Sequence, residues 1–335
     1  MLLGKGSYGN VYLKDNKAIK SFNNINYLIS EYGILKFLIN NDYFVKPFDL
    51  DLNKLELSME LYDCDLKIWF EINKSRPEKI INDILLGLVE LENRNLSHCD
   101  IKPSNILIRS HPLKAVIGDC GLVCNNKYSK INLTSKNYRD KILIRDGKHD
   151  VFSFGLILLQ WYGNIKINKQ YSYKKLKLLI NKYINDKSIK QLLFNILNSN
   201  RELRPTFKKI YKELFNKNII NKYKNVDFIE SNLENDKRLY IRDLCKNNCL
   251  KYNIKRGKKG FMAIINFLED NKLTNEEIEK YIYSTLFILN CNFGNSKISL
   301  KINDEYKTII NKLLNNNNFI NIIYSNTQII ESSIE

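Results

Sequence analysis

The chain has 335 residues, 44% hydrophobic and 27% charged, with a formal net charge of +17. That length predicts about two domains with buried cores. No apolar run approaches the ~18 residues of a membrane span and no secretory leader pattern is present, so the expectation is an intracellular protein, cytoplasmic or nuclear, that is not secreted and has no membrane partner. Seven cysteines (Cys64, Cys99, Cys120, Cys124, Cys245, Cys249 and Cys291) are scattered without paired CxxC spacing, and His98, His111 and His149 do not cluster, which predicts free thiols and neither a disulfide frame nor zinc.

In chain order, the first signal is Leu3-Gly4-Lys5-Gly6-Ser7-Tyr8-Gly9-Asn10-Val11-Tyr12-Leu13, a GxGxxG run. Absent side chains at such glycines let backbone amides approach phosphates. A dinucleotide-binding fold would open a helix after the third glycine. Here Asn10 to Leu13 is strand-like, and a second short strand with Lys20, Ala18 to Phe22, follows. The apolar run Leu28 to Leu38 reads as a helix carrying Glu31, although Gly33 weakens it by ~1 kcal/mol relative to alanine, so it needs outside support. Leu55 to Leu66 reads as a strand and connector. Ile80 to Arg94, apolar at Ile81, Leu85, Leu88 and Leu91, reads as a core helix.

Ser97-His98-Cys99-Asp100-Ile101-Lys102-Pro103-Ser104-Asn105-Ile106-Leu107-Ile108 and Ile117-Gly118-Asp119-Cys120-Gly121-Leu122 follow. Phosphoryl transfer needs a base near the attacking hydroxyl and oxygen ligands that hold magnesium against the triphosphate, and these two loops carry such groups. Asp150 to Leu159 then reads as a buried helix, too short to span a membrane. Taken singly, each glycine is a turn residue and each charge a solvated one. In this order and spacing they resemble the motif set of the eukaryotic-type serine/threonine protein kinases.

The resemblance implies an α+β, bilobal protein kinase fold over residues 1–216, with a small β-rich N-lobe and a helical C-lobe. A basic, Asn-rich linker at 217–229 and an all-α C-terminal domain at 230–335 follow. It implies ATP and Mg2+ as the nucleotide and metal. Gly4, Gly6, Gly9, Val11, Lys20 and Glu31 would serve the nucleotide, with Met59 as gatekeeper and the backbone of Glu60 through Tyr62 on the adenine edge. Asp63 and Asp65 would face the ribose. Asp100 would orient the acceptor hydroxyl, Lys102 would offset phosphoryl charge, Thr134 would bond to both, and Asn105 and Asp119 would hold the metal. His98 would pack beneath the site, and Asp150 would brace the catalytic loop. Lys102 with Thr134 is the serine/threonine pattern, so protein serines and threonines are the expected acceptors.

Three departures from the family pattern stand out. Cys99 replaces an arginine, Cys120 replaces a phenylalanine, and the Ala-Pro-Glu triplet is missing after Tyr138. The triplet's glutamate ordinarily pairs with a buried arginine, whose setting Arg204 matches, so that guanidinium needs another anion, and Asp140 is the nearest candidate. The positions that would gather an activation-loop phosphate, Ser30, Cys99 and Cys124, are none of them cationic. Activity is therefore expected to be independent of phosphorylation at Tyr128, Ser129 or Thr134.

Apolar periodicity in the tail predicts four or five helices, through Leu239, Ile241 and Leu244, Phe261 to Leu268, Ile278 to Leu289, and Ile309 to Leu314. Phe261 to Asn271 and Ser284 to Leu289 resemble the second and third helices of a cyclin box, and Tyr27 to Glu31 occupies the place of the cyclin-contacting helix of cyclin-dependent kinases. An unrelated helical appendage is the other reading of the same stripes. The Lys-, Asn- and Ile-rich composition points to AT-biased coding and a viral source. The expected function is an ATP-dependent serine/threonine protein kinase acting on protein substrates, with a regulatory or targeting tail that contacts the kinase lobe. The alternatives are a pseudokinase scaffold, or a kinase tethered to nucleic acid by its basic tail.

Overall fold

The computed structural model describes residues 1–6, 8–125, 136–141, 144, 146–219, 235–251, 257–270, 273–293 and 302–324. The chain folds into two compact units. One is built from Met1–Asn40, Lys46–Leu61 and Tyr223–Glu335, the other from Asn41–Val45 and Tyr62–Lys222.

The first unit opens with β1 (Leu2–Gly6), β2 (Gly9–Lys14) and β3 (Lys17–Phe22), then α1 (Ile25–Phe37), β4 (Pro47–Asp51) and β5 (Glu56–Met59). The strands form one antiparallel sheet in the order β1-β2-β3-β5-β4. Asp15 and Asn16, both at positive φ, close the β2–β3 hairpin, and these residue types accept the left-handed backbone that two-residue hairpins need. In the register, Val11 lies opposite Lys20, and Lys20 opposite Leu57. Helix α1 is capped by Asn24, whose side chain accepts from the Asn26 amide.

The second unit holds β6 (Cys64–Asp65), α2 (Leu66–Ile72), α3 (Glu78–Asn93), β7 (Leu96–Ser97), β8 (Ile106–Ser110), β9 (Leu113–Ile117) and β10 (Cys124–Asn125). Helices α4 (Gly147–Gly163), α5 (Tyr173–Tyr183), α6 (Lys187–Ile196) and α7 (Phe207–Phe215) complete it. Its small sheet runs β6-β8-β9, and β7 pairs with β10. The stripe expected on α3 is buried as read, and α4 is buried continuously from His149 to Trp161, which makes it the central helix of this unit.

The first unit resumes with α8 (Asn235–Lys251), α9 (Gly257–Asp270), α10 (Asn275–Phe293), α11 (Asp304–Leu314) and α12 (Asn317–Tyr324). Helix α10 is buried from Tyr281 to Asn290 and packs against α8, α9, α11 and α1. The tail helices therefore belong to the same compact unit as the N-terminal sheet. Most of the expected linker at 217–229 lies outside the described residues.

Candidate active site

Of the nucleotide-side residues, Gly4, Gly6, Gly9, Val11, Lys20, Glu31, Met59 and Glu60 lie in the first unit and Tyr62 in the second. A Cβ on Gly9 would come within 1.9 Å of the Ser21 carbonyl oxygen, so the close approach of β2 and β3 itself demands glycine there. Gly4 and Gly6 are different. A Cβ on Gly4 would meet nothing within 4 Å, and one on Gly6 only the Gly9 oxygen at 3.4 Å. Packing does not account for those two glycines. Behind the hairpin, Lys20 Nζ donates to Glu31 Oε2 at 2.6 Å, and both side chains are buried. The Lys20 to Glu31 interval is short for the family, yet α1 begins soon enough after β3 to form the pair.

Met59 ends β5 and is buried. The Glu60 amide donates to the Lys46 carbonyl at 3.0 Å, so a base-edge contact from Glu60 runs through its carbonyl. In the second unit, Arg109 stacks over the Tyr62 ring at 5.1 Å.

Among the described residues, the hydroxyl- and metal-side groups Asp100, Lys102, Asn105 and Asp119 lie in the second unit. Asp100 Oδ2 accepts from Lys102 Nζ at 2.6 Å and from Asn105 Nδ2 at 3.1 Å, which fixes the carboxylate in one orientation. Asn105 Nδ2 also donates to the Asp100 carbonyl at 2.9 Å, so the amide oxygen is the atom offered to a cation. The Asn105 carbonyl accepts from the Gly118 amide at 2.8 Å, a single backbone bond that ties the Asn105 turn to the one presenting Asp119. Asp119 itself has φ 55° and ψ 54°, a left-handed backbone that costs a non-glycine residue ~1–2 kcal/mol and is characteristic of functional turns. An amide oxygen and a carboxylate are hard ligands suited to magnesium, which takes one or two protein groups and completes its shell with phosphate and water. Among the described residues no cluster of three or more His, Cys, Asp or Glu is placed to hold a metal.

Two supports lie beneath these groups. Asp150 accepts from the His98 amide at 2.5 Å and the Cys99 amide at 2.8 Å, bracing the loop as expected. Burial pushes the Asp150 carboxyl up to about 8, against the two amide donors that lower it. His98 is buried, with Nε2 3.0 Å from the Gly118 carbonyl and Nδ1 accepting from the Asp100 amide. Burial lowers its pKa and holds it neutral, a spacer between the two loops rather than a base.

Several sequence expectations resolve here. Asp140 does replace the missing glutamate: Arg204 Nη1 donates to Asp140 Oδ2 at 2.7 Å, with neither side chain exposed. Tyr173, which spacing did not suggest, also donates to Asp140, at 2.5 Å. Asp63 and Asp65 have backbone partners. Asp63 accepts from the Ser110 amide at 2.7 Å and Asp65 caps α2 through the Ile68 amide at 2.7 Å, so both carboxylates are committed to backbone within their own unit. Thr134, Tyr128 and Ser129 lie outside the described residues. Cys120 is buried, and Cys64, Cys99, Cys120, Cys124, Cys245 and Cys291 are free thiols. The sequence does not pair Cys99 with Cys124. Their sulfurs sit 3.4 Å apart in the core.

Beside Lys102 a cavity of about 730 Å³ opens, lined among others by Lys67, Arg76, Lys136, Tyr138 and Lys166. Glu71, the one carboxylate among its described lining residues, is paired with Lys166 at 3.3 Å. Tyr138 is anchored to α4, donating to Gln160 Oε1 at 2.6 Å and accepting at its carbonyl from Ser153.

The second unit holds a carboxylate aligned by a lysine and an amide beside hard oxygen ligands, and the first holds a lysine–glutamate pair behind open glycines; these are the groups that phosphoryl transfer requires. Residues 1–216 match the protein kinase domain, and the chain belongs to that family. Its relatives include the serine/threonine-protein kinase pakH of Dictyostelium discoideum, 31% identical over 184 residues, covering 47% of this chain and 36% of that one. The probable serine/threonine-protein kinase dyrk2 of the same organism is 30% identical over 198 residues, covering 50% and 21%. The membrane-associated tyrosine- and threonine-specific cdc2-inhibitory kinase wee-1.1 of Caenorhabditis elegans is 30% identical over 137 residues, covering 35% and 28%. The matched part spans about a third or less of each of these relatives. Among the described residues no helix is long and apolar enough to cross a membrane.

Proposed function

We propose that this protein is an intracellular, magnesium-dependent kinase that transfers the γ-phosphate of ATP to serine and threonine hydroxyls of other proteins. In this reading its C-terminal helices form a cyclin-box-like domain that regulates the kinase or recruits its substrates. The observation that carries the reading is the buried Lys20–Glu31 pair at 2.6 Å, because that pair orders the lysine for the nucleotide phosphates. The acceptor oxygen bonds to the γ-phosphorus as the bond from phosphorus to the β–γ bridging oxygen breaks. Asp100 takes the hydroxyl proton, Lys102 offsets charge on the moving group, and ADP leaves. Magnesium, held by Asn105 and Asp119, would neutralise the phosphate oxygens. Lys102 supports serine and threonine as acceptors.

The pseudokinase scaffold draws support from Cys120, from the missing Ala-Pro-Glu and from the abbreviated first strand. The second ground weakens, since Asp140 supplies the anion that Arg204 requires. The test is incubation of the full chain with magnesium-ATP and a generic protein substrate, with phosphoamino-acid analysis and Asp119→Asn as control. Phosphoserine or phosphothreonine from the native chain alone supports the reading. Phosphotyrosine alone would overturn the acceptor class, and ATP binding without transfer would make the protein a scaffold.

A further inference from the structure

Helix α1 carries Glu31 and is buried on every face, with Leu28, Ile29, Tyr32, Ile34 and Leu35 all at 1% exposure or less. A helix buried all round needs cover on both sides. The sheet provides one side, through β3, β4 and β5, and α10, α11 and α12 of the same unit provide the other.

The tail grips α1 along its whole length. At the first turn, the Cys291 thiol on α10 donates to Asn26 Oδ1 at 3.5 Å. At the middle, Tyr32 Oη donates to Asn315 Oδ1 at 2.7 Å, just beyond α11. At the last turns, Tyr324 of α12 stacks on Phe37 with centroids 5.7 Å apart, and its hydroxyl lies over Gly33. A Cβ on Gly33 would sit 1.9 Å from Tyr324 Oη and 2.7 Å from Cζ. Tyr324 is buried and held against Phe37, so it has little room to swing aside. A second tether, Lys307 Nζ to Asn53 Oδ1 at 2.8 Å, joins α11 to the turn between β4 and β5. Gly33, a residue that weakens a helix on its own, is thus a point where the tail lies too close to α1 for a side chain.

From this geometry we infer that the C-terminal helices are a resident positioning domain for α1, with Tyr324 and Asn315 as positioning residues that hold Glu31 on Lys20; its kinetic consequence rests on the kinase reading above. The tail's partner is the chain's own α1 surface, and Glu31 lies between the grips at Asn26 and Phe37.

Alanine at a helical glycine is ordinarily stabilising where the space permits. Here Gly33→Ala must push α12 away from α1. In the full chain, the expected results are at least tenfold faster amide hydrogen exchange across residues 25–37, unchanged exchange across 96–110, and at least a tenfold fall in kcat. Adding Tyr324→Phe to Gly33→Ala removes the 1.9 Å contact but leaves the ring, and should recover part of both losses. If Gly33→Ala does not fold, Asn315→Ala decides, because Asn315 is exposed and its truncation removes the Tyr32 bond together with the local bonds from its Nδ2 to Asn311 one turn back. Asn315→Ala should speed exchange in α1 and lower kcat two- to fivefold. Native exchange in α1 for the folded variant overturns the inference, and so does a fall in kcat without a change in α1. If the native chain transfers no phosphate, the kinase reading fails by itself, and the exchange measurements still decide whether the tail holds α1.

Discussion

Replacing Asp140 by alanine removes the only carboxylate bonded to a fully buried guanidinium among the described residues. Both side chains of the Asp140–Arg204 pair are at 0% exposure, 2.7 Å apart. Arg204 would keep its bonds to the Asn198 carbonyl, at 3.0 and 2.9 Å, and to the Lys148 carbonyl at 3.1 Å, but no neutral acceptor offsets its charge. Removing one partner of such a pair costs about 3–5 kcal/mol. Loss of the Tyr173 bond accounts for ~1 kcal/mol of that. Both tryptophans of the chain, Trp69 and Trp161, lie in the same unit as the pair, so urea unfolding followed by their fluorescence reads this unit directly. With an m-value of about 2.5 kcal/mol/M, a 4 kcal/mol loss lowers the midpoint by roughly 1.6 M. Asp140→Ala combined with Arg204→Met removes the orphaned charge as well, and should cost ~2 kcal/mol less than the two single losses added together. A loss below ~1 kcal/mol for Asp140→Ala, or strict additivity in the double variant, would refute the substitution of Asp140 for the missing glutamate.

The contact between the Cys99 and Cys124 thiols offers an activation-loop phosphate no cation, so phosphatase-treated protein should keep its activity within about twofold; an obligatory phosphate at Tyr128, Ser129 or Thr134 would contradict this. The cavity beside Lys102 carries Lys67, Arg76, Lys136 and Lys166, which predicts that acceptor peptides flanked by acidic residues react with about tenfold higher kcat/KM, an advantage that falls with salt and shrinks in Lys136→Glu. Equal use of acidic and basic peptides would remove that expectation. Burial lowers the His149 pKa from its ordinary 6.5 to about 4, so the unfolded chain takes up the proton first and stability drops as pH falls through that window. Between pH 7.5 and 5.5 this residue alone should remove ~1.4 kcal/mol, and His149→Asn should unfold with a correspondingly shallower dependence on pH in urea titrations.

What was legible in the residues was mostly local chemistry. Glycines before a strand, a lysine on the next strand and carboxylates on two turns can be read because each role demands one residue type at a short spacing. Arg204 is the long-range exception. A buried guanidinium requires an anion, so a missing glutamate made Asp140 predictable even though it lies on a distant segment. Asp63 and Asp65 show the opposite. A carboxylate near a strand end serves a ligand or caps backbone with equal ease, and only the backbone path, which points the Ser110 and Ile68 amides at them, decides between the two.

The tail marks a different limit. Apolar spacing says which face of a helix is buried but not against what, so α10 through α12 could be foreseen as helices while their place on α1 could not. One residue did carry that information. An isolated glycine in an otherwise buried helix lowers the helix's own stability, so its presence implies that something approaches too closely for a side chain. The expectation of outside support for α1 came from Gly33, and the Tyr324 hydroxyl, 1.9 Å from where its Cβ would be, is that support. Sequence thus registered the contact as a local defect on one side only. Tyr324 by itself is one more aromatic on an amphipathic stripe, and its role appears only when α12 is laid against α1.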